Sequence, residues 1–444
     1  MNRSEHSHFN PWHALVVVCL GQFMVILDAT IVNVALPSIQ GDLGISDDSL
    51  QWIVNAYTLL FGGFLLLGGR ALQGLGGALL SPAALAVITT SFEEGAARTK
   101  ALSIWAAIAS GGSAAGLLLG GVLVETLSWE WIFFVNVPIG VGIILAALRI
   151  VPDSRVEVAR RHFDVAGAIS VTSGLVVLVF AIVRAQAWGW GSARTLGLGA
   201  AALALLAAFI AIERRSPAPL VRLGLFRMRS LATANGVFLI VIGGLFGMFF
   251  FATLYLQNIL GYSPLQTGFA FLPVTVGIVI GATIAQQLIP RAGVRPVMLS
   301  GLTLAAAGLA LLAATTRVGG DYLGVLGGLL AMATGMGATF VPMTLVATTN
   351  VEADDAGLAS GIFNTSQQVG GALGLAILST LAASRTSDLL AGGTERPQAL
   401  VEGFQLAFVV AAALLAAGAI LTAVLLRRSD VERIESGDVV AVPA

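Results

Sequence analysis

Charge is what this sequence has least of. Asp, Glu, Lys and Arg make up 11% of the 444 residues, while 57% are hydrophobic. Soluble domains run near a quarter charged, so a water-soluble globular protein is excluded. Cysteine occurs once, at Cys19, which excludes a disulfide framework and a cysteine metal cluster. Lysine also occurs once, at Lys100, and not within a G-x-x-x-x-G-K-[ST] loop. ATP is therefore not the expected energy source. The histidines, His6, His8, His13 and His162, lie outside the apolar spans and form no H-E-x-x-H pattern, so no metal or other cofactor is expected. No serine stands in a nucleophile elbow, and a membrane enzyme would need a polar constellation that is missing. A net charge of −1 with no basic tract gives nucleic acid nothing to hold.

What the chain has instead is apolar length. Segments of about 20 residues recur from end to end, each long enough to cross a hydrocarbon core about 30 Å thick. A barrel would show short alternating segments, and these are absent. The fold class expected is an all-α polytopic membrane protein, with the lipid bilayer as its surroundings. The first apolar stretch is too long for a signal-peptide core and lacks a small-residue cleavage site, so it reads as a first span. Spans are expected at 14–35, 50–69, 71–91, 101–123, 131–150, 164–184, 195–212, 230–256, 268–289, 296–314, 322–343, 357–383 and 403–426, thirteen in all.

Basic residues should mark the cytoplasmic loops. Arg98 and Lys100 share one loop, and two spans later come Arg149, Arg155, Arg160 and Arg161. Two further spans bring Arg214, Arg215, Arg222, Arg227 and Arg229, and then Arg291 and Arg295. The loops at 125–130 and 257–268 have none, and the tail carries Arg427, Arg428 and Arg433. From Arg98 onward these loops and the C-terminus read as cytoplasmic. The loop at 350–357 carries acids instead, which count little in this rule.

The first hundred residues break the alternation. The loop at 37–49 has acids and no basic residue, which places it outside and the N-terminus inside. Three spans then separate the N-terminus from the Arg98 loop, where an even number is needed. The anomaly in that interval is "LLLGGRALQGLGGALLSP", residues 65–82, where Arg70 interrupts an apolar run. A chain break at Gly68–Arg70 spares a charge near the bilayer centre, which costs about 2.5–3.5 kcal/mol on the insertion scale. Two parts of the chain also resemble each other. Gly77-Ala78-x3-Pro82-x6-Thr89 returns as Gly337-Ala338-x3-Pro342-x6-Thr349, which suggests the parallel duplication used by transporters.

Few polar residues lie inside spans. Asp28 is the one carboxylate there, about 14 residues and so about 21 Å along its helix. It reads as a proton or cation site, since an intramembrane acid is costly, or as a hydrated residue near the outer interface. Asn33 and Pro37 follow it. Gln51, Asn55 and Thr58 share a helix face in the second span, with Tyr57 to one side. They line a substrate path or hydrogen-bond neighbouring helices. Gly112, Gly116 and Gly120 recur every four residues and form a smooth stripe that admits a second helix. Asn364, Gln367 and Gln368 lie beside Gly370 and Gly371 and face a cavity or serve as interhelical glue.

Together, "LDATIVNVALPSI", "QWIVNAYTL", "RALQGLGGALLSP", the glycine stripe and "WEWIFFVNVPIG" resemble the major facilitator superfamily, and within it the fourteen-helix drug:proton antiporters. The resemblance covers nearly the whole chain. It implies a helical bundle at 1–151, a linker with two extra membrane helices at 152–229, a second bundle at 230–427 and a cytoplasmic tail at 428–444. It implies alternating access around a midplane cavity in the plasma (inner) membrane, driven by the proton gradient. Asp28, Asn33 and Pro37 match the family's first-helix motif. Arg70, Gln73, Gly74 and Gly76 match the motif whose arginine assists proton transfer, with Pro82 closing that phrase. Gly112, Gly116, Gly120 and Gly121 match the antiporter motif, associated with helix packing and gating. The family's proline after Gly116 is Leu117 here, and an arginine common ahead of "QQ" is Ser366. The larger departure is at Arg70. The family separates "LLLGGR" from "RALQGLGG" by a cytoplasmic loop and a third helix, about 35 residues. Here the two phrases are fused. The function implied is export of small amphipathic compounds, drugs or antibiotics, in exchange for protons. The alternative is a truncated relative that does not transport.

Overall fold

The computed structural model describes residues 11–45, 50, 111–112, 114–150, 164–216, 219–348 and 356–427. Among these, regular structure is helical throughout. In chain order the helices are α1 (Pro11–Leu43), α2 (Ala114–Thr126), α3 (Trp131–Phe134), α4 (Asn136–Ile150), α5 (Val165–Trp188), α6 (Ala193–Arg215), α7 (Arg229–Leu254), α8 (Pro264–Ala270), α9 (Leu272–Ala292), α10 (Val294–Thr315), α11 (Tyr322–Thr348), α12 (Ala356–Ala391) and α13 (Arg396–Leu425). A short 3₁₀ turn at Leu223–Arg227 precedes α7, and a π-helical turn at Tyr255–Ile259 follows it.

Among the described residues, nine helical stretches from Trp131–Ile150 to Arg396–Leu425 are long and apolar enough to cross a membrane. Helices are the local answer because a bilayer core offers no water to satisfy backbone N–H and C=O groups. The hydroxyls inside them follow the same logic. Thr253, Thr339, Thr380 and Thr422 each donate to the carbonyl four residues back, at 2.7–2.8 Å, so these four hydroxyls are satisfied within their own helices. Where helices meet water, ordinary caps end them. The Asp164 carboxylate accepts from Gly167 N at 2.6 Å at the start of α5. Ser192 Oγ accepts from Thr195 N at 3.2 Å at the start of α6.

The chain divides into two compact units, the first with Met1–Ala35, Gly68–Arg161 and Pro264–Phe269, the second with the remainder. In the first unit α2 lies on α1 through its glycines. A Cβ on Gly112 would stand 3.2 Å from Phe23 O, one on Gly116 2.8 Å from Leu27 O, and one on Gly120 2.9 Å from Ile31 O. The same helix holds Pro264–Phe269. Leu265 N donates to Glu125 Oε2 at 3.2 Å, and Gly268 sits against the Leu117 carbonyl. Helix α2 runs continuously through Leu117, where the family resemblance implied a proline.

The second unit is built on similarly close crossings. Gly301 and Gly335 hold α10 against α11, each facing the other's carbonyl, and Gly243 meets Gly374 where α7 crosses α12. Helix α5 packs along α12, with Val171, Leu175 and Val179 in one apolar cluster with Ile362, Val369 and Ala376. The segment after α6 closes over that cluster, burying Leu220, Val221 and Leu225. Helix α6 itself turns Leu196 and Leu203 outward, as α4 does Val137 and Leu148; such faces suit lipid.

Candidate functional site

Asp28 lies within α1, a helix of 33 residues; its side chain is outside the described set. The α1 residues that flank it are the ones the α2 glycines touch. Thr30 Oγ1 turns back on its own helix to Ile26 O at 2.8 Å, and both Thr30 and Leu27 lie against Gly116. Asn33, one turn beyond Asp28, is half-buried. Gly121, next in the stripe, faces the backbone of Pro264 and Leu265. The stripe therefore holds a second backbone against the stretch of α1 that carries the acid. Gln51, Asn55, Tyr57, Thr58, Arg70, Gln73, Gly74, Gly76 and Pro82 lie outside the described residues.

The second unit carries a different surface. On α12, Ser366 Oγ donates to Asn235 Oδ1 on α7 at 2.8 Å, and Asn235 Nδ2 donates to Leu231 O at 2.8 Å. Ser366, where relatives of the implied family often place a charge, thus joins two helices. The neighbouring amides behave otherwise. Asn364, Gln367 and Gln368 are half-buried and make no side-chain hydrogen bond among the described residues. An amide carries two donors and an acceptor oxygen, so these three hold unused hydrogen-bonding capacity at membrane depth.

Beside them is an aromatic group that sequence reading did not single out. Phe238 on α7 and Phe363 on α12 stack with centroids 4.5 Å apart and planes 6° from parallel. Phe340 on α11 meets both edge-on, at 5.5 Å and 6.2 Å. The first two are buried, whereas Phe340 is 38% exposed. The only mark in the sequence was position, since Phe340 falls inside the second Gly-Ala-x3-Pro phrase. At the far end of α7 the π turn presents Tyr255, whose hydroxyl donates to Arg317 O at 2.9 Å. A small cavity there is lined by Tyr255, Leu312, Thr316 and Phe408. No group of three His, Cys, Asp or Glu side chains that could hold a metal occurs among the described residues.

Comparison with known proteins places this geometry. The Major Facilitator Superfamily model matches residues 60–375. The puromycin resistance protein of Streptomyces alboniger is 39% identical over 93% of this chain and 90% of its own. That alignment runs to 463 positions although the whole chain has 444 residues, so parts of the relative have no counterpart here. The cephamycin export protein of Amycolatopsis lactamdurans is 36% identical over 93% of this chain and 92% of its own. A human organic anion transporter of solved structure shares the fold, with a TM-score of 0.60 at 14% identity, covering 93% of this chain and 99% of that one. An integral membrane transporter and not an enzyme, the chain belongs to the major facilitator superfamily.

Proposed function

We propose that this chain exports small amphipathic compounds, antibiotics among them, from the cytoplasm in exchange for protons. The observation that carries the reading is similarity along nearly the full chain to resistance and export proteins. Asp28 supports the energy source. A carboxylate inside a long apolar helix is costly unless it works, and binding and releasing a proton is work that a carboxylate can do. With the glycine stripe bringing α2 against its neighbours on α1, a change at Asp28 reaches a tightly packed crossing. Arg70 would assist the transfer, and the polar residues Asn33, Gln51, Asn55, Tyr57, Thr58, Gln73, Asn364, Gln367 and Gln368 would line the path. Gly74, Gly76, Pro82, Gly112, Gly116, Gly120 and Gly121 would serve packing and gating. The basic loops support a plasma-membrane orientation with the C-terminus in the cytoplasm.

The test is uptake of a fluorescent amphiphile into inverted membrane vesicles energised by an imposed acid-inside gradient. The native chain should accumulate the dye and release it when the gradient is collapsed. Asp28→Asn should remove the gradient-dependent part. Accumulation by Asp28→Asn that still tracks the gradient would sink the assignment of the acid.

A second reading has its own support in the fused stretch at 65–82, where a helix of the family is missing. On that reading the chain is a truncated relative that does not transport. Vesicles carrying the native chain would then stay empty, while those carrying a version with the stretch restored would fill.

A further inference from the structure

We propose that the segment joining α6 to α7 is a binding site for an anionic phospholipid, with Arg214, Arg215, Arg222 and Arg227 around the headgroup and Phe226 beside the acyl chains. Its place in the cytoplasmic leaflet rests on the orientation proposed above; the site itself does not.

The segment is basic on its surface and anchored underneath. From Glu213 to Arg229 it carries five arginines and one acid, Glu213. That acid is buried, with its oxygens on Leu220 N and Val221 N, so it leaves the surface basic. Leu220, Val221 and Leu225 are sunk in the apolar cluster with α5 and α12. The backbone is therefore ordered before a ligand arrives, and binding does not have to order it. Of the five arginines, Arg229 donates to Leu425 O at 2.9 Å. The other four are exposed. Arg214, Arg215 and Arg227 make no hydrogen bond or ion pair among the described residues.

Two features select a lipid over a soluble anion. In the 3₁₀ turn Leu225 is buried, while Phe226, next to it, is 41% exposed. A phenylalanine held in the open beside arginines suits the boundary between headgroups and acyl chains. Helix α6 supplies the second feature. Leu196, Leu203 and Ile210 are exposed, and with Arg214 they fall within about 40° of one another at 100° per residue. Leu203 to Arg214 is about 16 Å along the helix, roughly half the thickness of a hydrocarbon core. An acyl chain lying on this face brings its phosphate to Arg214. Charge then selects among lipids. Clustered arginines at a membrane surface attract a net negative headgroup, and guanidinium forks take phosphate oxygens in pairs. A zwitterionic headgroup brings its own cation to the same place.

The test places the purified chain in lipid nanodiscs of dioleoylphosphatidylcholine with a minor fraction of dioleoylphosphatidylglycerol. Native mass spectrometry then reads which lipid stays bound. The acyl chains are the same, so enrichment of phosphatidylglycerol over its bulk fraction reports the headgroup. The native chain should enrich it. An arginine near a membrane surface contributes about fivefold, so Arg214→Gln with Arg227→Gln should cut the enrichment by up to about twentyfold. Arg214→Lys with Arg227→Lys keeps the charge and should keep most of the enrichment. Arg291→Gln, at an exposed arginine on α9, should leave it unchanged. Inorganic phosphate should not displace the lipid, because it has no chain to lie along α6. The site is overturned if the native chain shows no enrichment or the glutamine pair keeps it. It is overturned equally if the glutamine and lysine pairs lose enrichment alike, if Arg291→Gln lowers it as far, or if inorganic phosphate displaces the lipid. Both leaflets of a nanodisc carry the same lipids, so neither orientation nor transport enters the result. Enrichment by a chain that fills no vesicles supports the site and counts against the export reading alone.

Discussion

Glycine is used at single positions here for opposite reasons, and the difference can be measured. A Cβ on Gly116 would stand 2.8 Å from Leu27 O and closer still to Thr30 Oγ1, whereas one on Gly142, inside α4, would meet nothing within 4 Å. Gly142→Ala should therefore gain up to about 1 kcal/mol from helix propensity alone. Gly116→Ala should lose about 1–3 kcal/mol, the usual cost of overpacking, because backbone and not a flexible side-chain end must give way. Thermal unfolding of the two variants in the same nanodiscs should move the melting temperature in opposite directions. If Gly116→Ala melts no lower than Gly142→Ala, α2 is not held against α1 as described. The Gly116 variant should also slow export, since it acts where α2 crosses the stretch of α1 that carries Asp28.

At the scale of elements, the segment that follows α6 shows how a buried acid can hold a loop. Both Glu213 oxygens accept backbone N–H bonds, from Leu220 at 3.3 Å and Val221 at 3.0 Å. The side chain is 4% exposed, so Glu213→Ala leaves two buried donors unsatisfied at about 1–3 kcal/mol each. Hydrogen exchange should then speed up at residues 219–228 while α10 and α11 keep their protection. Unchanged exchange in that segment would show that its apolar contacts alone hold it. None of this was legible beforehand, because "RRSPAPLVRLGLF" reads as a polar loop with scattered apolar residues. What hydropathy did reveal was every long span among the described residues. It missed where helices end. Apolar residues suggested 357–383, yet α12 continues to Ala391, because Arg385 pairs with Glu402 at 2.8 Å and Thr386 bonds Ala399 O across to α13. Hydropathy marks the membrane-embedded length, and a helix can run on into water. Nor could it reveal the π turn after α7 or the break at Phe271, which are changes of hydrogen-bond register within uniformly apolar sequence. The candidate site divides in the same way. Asp28 and the amides stand out as polar residues among apolar ones, while a phenylalanine such as Phe340 is one among 22 until its exposure is known.

For the whole molecule, the open quantity is parity. Basic loops alternate from Arg98 to the tail, and on the charge rule that alternation asks for a cytoplasmic C-terminus. The thirteen spans expected from the sequence would then put the N-terminus on the opposite side, against the acid-rich, base-free loop at 37–49, which asks for it inside. A missing third helix at Arg70 reconciles the two, because the older charge pattern would persist around a lost crossing. It would also leave stretches of the puromycin relative with no counterpart in this chain. Reporter fusions decide it. Green fluorescent protein should fluoresce when fused to the C-terminus, and alkaline phosphatase should be active when fused to the N-terminus of the native chain. Insertion of a single apolar helix with its loop, about 35 residues, at Arg70 should reverse the N-terminal result and leave the C-terminal one unchanged. If both ends of the native chain already report the cytoplasm, the span count is even. The crossing is then not missing, and the fused stretch turns back without spending one.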